Sequence, residues 1–539
     1  MVRQVVTSRN RIGTFAPYLL LLCISYVTVF FRLGSLPFIG ADEPRYARIA
    51  EEMYRSGRWI TPTLEGIPWL EKPPLYYWLT IPCYALWGVS ETTARLAPAL
   101  SALLTVCVVC WAAVRIWGTA AGLLSGSILL TSVGFIVFAR GASTDMPFSA
   151  CYTVALALLA VCAAGEARRT GKLIAAYFFL GLGVLAKGPV ALLLCAGTVL
   201  LFWAFDERGG GIRRLHLIWG LGAAVAVAAP WFWLAFLQNG FAFIAVFVVN
   251  HNLARFVSAV HHHTEPFYYF IPVLLGLLLP WTGWALALGG RGIRALKEWR
   301  AWQPAQVFLW SWMAFPVLFF SLSESKLPGY VLVSLPPLAM LVARGQSRLF
   351  GVAPHCKTGA AAGWLQVLVS AALAAAFPVA VSTVYGEPWM VGIPLALAAI
   401  LPAIACVAAA AAGRWRTAVT LTVLQGLVIA AALTQFAFPL IARYHSTREI
   451  ARQALAARTA SEPIVTYRFF HHTLNYYTGY RIEAELGGEQ SLDSFAATHP
   501  RFLAVTEDRY VPDLEGIPEL HATVLGRQGR FRLLLILRR

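Results

Sequence analysis

The chain is 539 residues long, 58% hydrophobic and 13% charged, where a soluble globular protein carries about 25% charged residues. Its 43 Lys and Arg against 26 Asp and Glu leave a net charge of +17. The long apolar runs exclude a soluble domain. The basic excess sits largely in short loops between those runs, where it orients the chain and suits anionic membrane lipids, so nucleic acid is excluded as its partner.

Arg3, Arg9 and Arg11 precede an apolar run over residues 18–31 with no small-residue cleavage site behind it, which predicts a retained first span. Windows long enough to cross a bilayer follow at residues 15–34, 94–114, 117–138, 146–164, 173–186, 189–205, 215–236, 267–289, 304–322, 328–343, 361–384, 389–411 and 417–440. That makes thirteen transmembrane helices, with Lys187-Gly188-Pro189 dividing one long apolar run in two. Alternate loops carry the basic residues, among them Arg168, Arg169 and Lys172, then Arg291, Arg294, Lys297 and Arg300. Those loops are expected in the cytoplasm. The polar segment 36–92, the 237–266 loop and the C-terminus then fall on the other side. The spans read as almost free of Asp, Glu, Lys and Arg, which weighs against an ion-coupled lipid or polysaccharide transporter. Most of the nine cysteines lie in apolar helices, and Cys107-x-x-Cys110 reads as packing rather than redox chemistry.

Residues 1–444 form the transmembrane domain in this reading, and residues 445–539 a small non-cytoplasmic α/β domain of unassigned chemistry that covers the active face. In it, 446–458 reads as a helix, and PIVTYRFF, RFLAVTE and GRFRLLLILRR as strands.

Ionisable groups gather in 36–92. Asp42-Glu43-Pro44-Arg45-Tyr46 can open an amphipathic interfacial helix, with Asp42 as N-cap, an apolar stripe at Tyr46, Ile49, Ala50 and Met53, and Gly57 as its stop. Asp42 is either a cap or a carboxylate placed for chemistry. Glu71-Lys72-Pro73-Pro74 projects a carboxylate and an ammonium from a proline-stiffened loop, and a lysine there suits a phosphate. The loop after Asn250 offers His251, Arg255 and the triplet His261, His262 and His263. Arg255 suits a phosphate, and Glu71, His251 and His263 are candidate ligands for a divalent metal such as zinc. Lys187 lies in another non-cytoplasmic turn, and Lys326 and Tyr330 flank the Pro328-Gly329 break.

The ordered motifs DEPRYARIAEEM, EKPPLYYW, LAKGP, NLARF, HHHTEPFYYFIPV, LPW and KLPGYVL resemble the lipid A 4-amino-4-deoxy-L-arabinose transferases of glycosyltransferase family 83 across residues 38–345. These are GT-C-type enzymes related to the protein O-mannosyltransferases. The resemblance implies a GT-C fold and transfer of aminoarabinose from undecaprenyl phosphate to lipid A phosphates. The reaction would occur on the periplasmic face of a bacterial inner membrane and would confer resistance to polymyxin and cationic peptides; the chain is separately expected to be a monomer. It implies Asp42 as the essential catalytic or substrate-positioning acid, with Lys72 and Arg255 on the donor phosphate; Glu43 beside it is a second catalytic candidate. Arg45, Tyr46, Glu71, Lys187, Lys326 and Tyr330 would line the same cavity, with no cofactor required. The chain departs from the family's pattern at Asn250, where an acidic residue tends to stand, which leaves any metal or amine contact there open. Another sugar or a protein acceptor is the alternative; a hydroxyl acceptor would need Asp42 as base.

Overall fold

The computed structural model describes residues 11–539 apart from 166–168, 207–211, 255–264, 296–299, 350–356 and 460–461. Among the described residues, eight helices are long and apolar enough to cross a membrane, or nine if one bent pair counts as a single span. The chain is a multi-pass α-helical membrane protein. The bent pair is α5 (Thr119–Thr131) with α6 (Val133–Ala139), kinked by 67°. Two shorter apolar helices add to these, Phe15–Phe30 and Val190–Phe205. The run split at Lys187 is indeed two helices, α8 (Arg169–Lys187) and α9 (Val190–Phe205). Other expected spans are interrupted as well. Window 267–289 holds Phe270–Leu277 and Thr282–Ala295, and window 328–343 begins as the 3-10 turn Pro328–Ser334.

The first helix, α1 (Arg11–Ser25), continues as the π-helical turn Tyr26–Phe30. After a short linker, α2 (Asp42–Ser56) buries Tyr46, Ile49, Ala50 and Met53 along the stripe their spacing predicts. Gly57 ends it at φ +67°, where an L side chain is strained, and its N–H bonds the Met53 carbonyl at 3.0 Å. A two-residue hairpin follows, β1 (Thr63–Leu64) with β2 (Ile67–Pro68). The Glu52 carboxylate closes its turn by accepting the Glu65 and Gly66 N–H groups at 2.8 and 3.2 Å. Then α3 (Leu75–Trp87) packs against α2, and α4 (Glu91–Trp117) opens on a Ser90–Thr93 capping box. At the centre, α7 (Asp145–Ala163) is buried along nearly its whole length.

Near the C-terminus, a buried amide network ties the last spans together. Gln366 donates to Gln425 at 2.8 Å, and Gln425 donates to Ser370 at 2.9 Å. Beyond them lies a five-stranded sheet in the order β4-β3-β5-β7-β6. Its strands are β3 (Ile464–Tyr467), β4 (Ile482–Leu486), β5 (Arg501–Glu507), β6 (Leu520–Gln528) and β7 (Phe531–Arg538). β3 runs parallel to β4 and β5, whereas β7 is antiparallel to β5 and β6.

Candidate functional site

The site forms where the linker enters α2. Ala41, not Asp42, is the N-cap; Asp42 is the first helical residue. Its side chain is 57% exposed and accepts a 2.6 Å bond from Arg45, whose guanidinium also stacks over Trp69. Glu43, one step round the helix, turns the other way. It is buried and takes a two-bond ion pair from Arg95, with each contact at 2.8 Å. It also accepts the Ile39 and Ala142 N–H groups at 3.0 and 2.8 Å. A carboxylate whose two oxygens are taken up by four donors has little capacity to react, so this geometry suits anchoring. Arg95 corrects the reading of charge-free spans, because it lies buried inside the 94–114 window.

A second carboxylate joins from α7. Asp145 pairs with Lys187 at the end of α8, and the Lys187 ammonium lies 5.5 Å from the ring centres of both Phe148 and Tyr330. Tyr46 lies near enough to both acids to feel their charges: burial pushes its hydroxyl well above the usual tyrosine range, and Asp42 and Asp145 add to that push. Lys326 is buried and donates to the Ser323 carbonyl at 2.5 Å. Asp42, Arg45, Tyr46, Lys187 and Tyr330 are thus brought to one end of the bundle with Asp145 of α7.

Glu71 and Lys72 occupy half-buried positions between β2 and α3. Glu71 comes within 3.5 Å of His251. Arg255 and His263 lie outside the described residues, and among the described residues no three His, Cys, Asp or Glu side chains gather as metal ligands. Glu71 and His251 therefore offer one oxygen and one nitrogen donor, half of a tetrahedral zinc set. Tyr77 is fully buried, and its hydroxyl has no hydrogen-bond partner among the described residues.

The C-terminal domain also reaches this end. His472 lies near enough to Arg45 and Asp42 to feel both charges, and burial with Arg45 lowers its pKa to about 4. A cleft of about 340 Å³ opens beside it, lined in part by Glu65, Phe470, His472, Tyr480 and Glu485. Nothing in the local sequence HHTLNYY announces that contact.

A surface carboxylate, two lysines and a buried tyrosine at the end of a membrane bundle suit a lipid-borne anion and a polar group attached to it. The sequence profile of the dolichyl-phosphate-mannose-protein mannosyltransferase family matches residues 71–233. The chain is 32% identical over 308 residues to undecaprenyl phosphate-alpha-4-amino-4-deoxy-L-arabinose arabinosyl transferase 1 of Pseudomonas fluorescens, covering 56% of this chain and 54% of that protein. It is 34% identical over 343 residues to arabinosyl transferase 2 of Sodalis glossinidius, covering 60% and 58%. The chain thus spans little more than half the length of the curated relatives it matches. In three dimensions it matches ArnT from Cupriavidus metallidurans bound to undecaprenyl phosphate, with TM-score 0.77 and 24% identity over 97% of this chain and 98% of that one. The chain has the GT-C fold. The Archaeoglobus fulgidus oligosaccharyltransferase matches more distantly, with TM-score 0.52 and 13% identity over 93% of this chain and 71% of its own.

Proposed function

We propose that the chain transfers 4-amino-4-deoxy-L-arabinose from undecaprenyl phosphate to the phosphates of lipid A, as a monomer, on the periplasmic face of a bacterial inner membrane. One observation carries this reading: the whole-chain likeness to ArnT coincides with an exposed Asp42 set among cations at one end of the bundle.

The acceptor phosphate is already an anion, so the reaction needs no strong base. Its barrier lies in bringing two anions together and expelling a lipid phosphate. Positioned cations lower that barrier by stabilising the charge that builds up. Lys72 and Arg255 hold the departing phosphate. Asp42 orients the sugar amine and supports the positive charge that develops on the ring as the glycosidic bond breaks. Lys187, steered by Asp145, and Lys326, Tyr330 and Tyr46 line the cavity, while Glu43 serves as an anchor. Glu71 and His251 would hold a divalent ion such as zinc if one binds, and no step of the transfer runs through it. Loss of negative charge on lipid A would then give resistance to polymyxin.

The test is mass spectrometry of lipid A from cells lacking their own transferase, with and without this chain. The expected result is an added aminopentose that depends on the chain. Unmodified lipid A in expressing cells that hold the donor would overturn the reading.

A further inference from the structure

The linker that carries Asp42 is gripped from both sides. On the bundle side, Arg95 donates to the carbonyls of Leu33, Leu36 and Pro37 at 3.2, 2.8 and 2.9 Å and stacks over the Phe38 ring. On the other side stands the helix His472–Tyr477 of the C-terminal domain. The Tyr477 hydroxyl accepts the Phe38 N–H at 2.6 Å and donates to Glu91, at the start of α4, at 3.0 Å. The Tyr476 and Tyr477 rings pack on Phe38 with centroids 5.0 and 6.3 Å away. Arg448, also of the C-terminal domain, covers Tyr477 and lies 3.5 Å from Glu91.

We propose that Tyr477 is a positioning residue for the transfer reaction, through which the C-terminal domain sets the linker and, at its end, Asp42. The proposal rests on the role given to Asp42 above. The chemistry of one hydroxyl explains why this residue can act as a clamp. Its proton goes to the Glu91 carboxylate, a charge-assisted bond, and its lone pair remains to take the Phe38 N–H. Three separate parts of the chain therefore meet on a single oxygen: the linker, α4 and the terminal domain. Phenylalanine would keep the ring packing and lose both bonds, leaving the Phe38 N–H and Glu91 without that partner. The Asp42 side chain bonds to Arg45, its neighbour on the same helix, so its placement relative to the bundle comes from the backbone on either side of it, held by the Glu43–Arg95 pair after it and by the clamped linker before it. The C-terminal domain is then part of the catalytic apparatus rather than only a cover.

The test uses the full-length chain in lipid nanodiscs with Tyr477→Phe, Glu91→Gln and Glu91→Ala. Turnover and donor KM are measured with undecaprenyl-phosphate aminoarabinose and lipid A, and amide hydrogen exchange is read over residues 33–43. Tyr477→Phe should lower kcat roughly 10-fold to 100-fold, the scale of a misplaced catalytic group, with donor KM unchanged and faster exchange confined to the linker. Glu91→Gln keeps an acceptor for the hydroxyl and should hold the rate that Glu91→Ala loses, which separates positioning from failure to fold. Unchanged kcat in Tyr477→Phe, or a change confined to donor KM, overturns the proposal. If the wild-type chain transfers no aminopentose, the functional reading fails and the proposal fails with it, although linker exchange still reports whether the clamp exists. A wild type that transfers, with a Tyr477→Phe variant that keeps its rate, condemns the positioning role alone.

Discussion

Glu43 and Arg95 meet in a buried two-bond ion pair between the start of α2 and α4, with side chains 10% and 4% exposed. Asp42, the adjacent residue, stays at the surface. Neighbours on a helix project about 100° apart, so two consecutive carboxylates can serve an anchor and a reactive site without competing.

Removing one member of the buried pair strands the other. Glu43→Ala should cost about 3–5 kcal/mol, the range for breaking a buried ion pair. Thermal unfolding of the purified variant checks this, and the Glu43→Ala, Arg95→Met double variant should be less damaged than the sum of the singles. A Glu43→Ala protein with wild-type stability and no turnover would return Glu43 to the chemistry.

The pairing of Asp145 with Lys187 predicts coupled losses. Lys187→Met should reduce transfer while the fold survives, and adding Asp145→Asn should reduce it little further, because both changes remove one interaction. Turnover of the two singles and the double decides this. Strictly multiplicative losses would mean that the two residues act independently.

How far the sequence carried the reading depends on how local each signal is. The α2 helix was legible because its stripe, proline and terminal glycine all lie within 16 residues of chain. Its cap was misplaced by one residue, since Ala41 holds that position. In the terminal domain, β3, β5 and β7 were readable as apolar runs because they lie inside the sheet. β4 and β6 were not, because they are edge strands with alternating exposed residues and charges that blunt an open edge. Arg95 was hidden inside an apolar window. The Asp145–Lys187 pair spans 42 positions, and the Phe38–Tyr477 contact spans 439, so only the packed chain brings either together.

The histidines of the terminal domain predict acid sensitivity. Burial lowers His471 and His472 to about 4 from the ordinary 6.5, with Arg530 adding at His471 and Arg45 at His472. The unfolded chain therefore binds more protons than the folded one between those values. Stability is full above pH 6.5 and falls as pH drops toward 4. Melting temperature measured across that range should decline, and His471→Gln with His472→Gln should flatten the decline. An unaltered slope in the double variant would contradict the assignment.

Lys72 and Arg255 are proposed to neutralise the departing phosphate. Lys72→Ala should lose most turnover, since no uncharged side chain replaces its point charge. Arg255→Lys should be milder than Arg255→Ala if charge alone matters, and as damaging if the contact is bidentate. Donor binding and turnover measured separately on purified protein distinguish these cases. Normal values in both alanine variants would move the phosphate site toward Lys187 and Lys326.

The central claim is that Asp42 acts in the transfer itself. Its pairing with Arg45 is exposed, and such pairs contribute only about 0–1 kcal/mol, so Asp42→Asn should fold and insert normally. The direct measurement is the rate of aminoarabinose transfer from undecaprenyl phosphate to lipid A by purified Asp42→Asn beside wild type, with equal folded protein confirmed by size exclusion. The account predicts active wild type and a variant with transfer abolished. A variant that transfers at nearly the wild-type rate would contradict it.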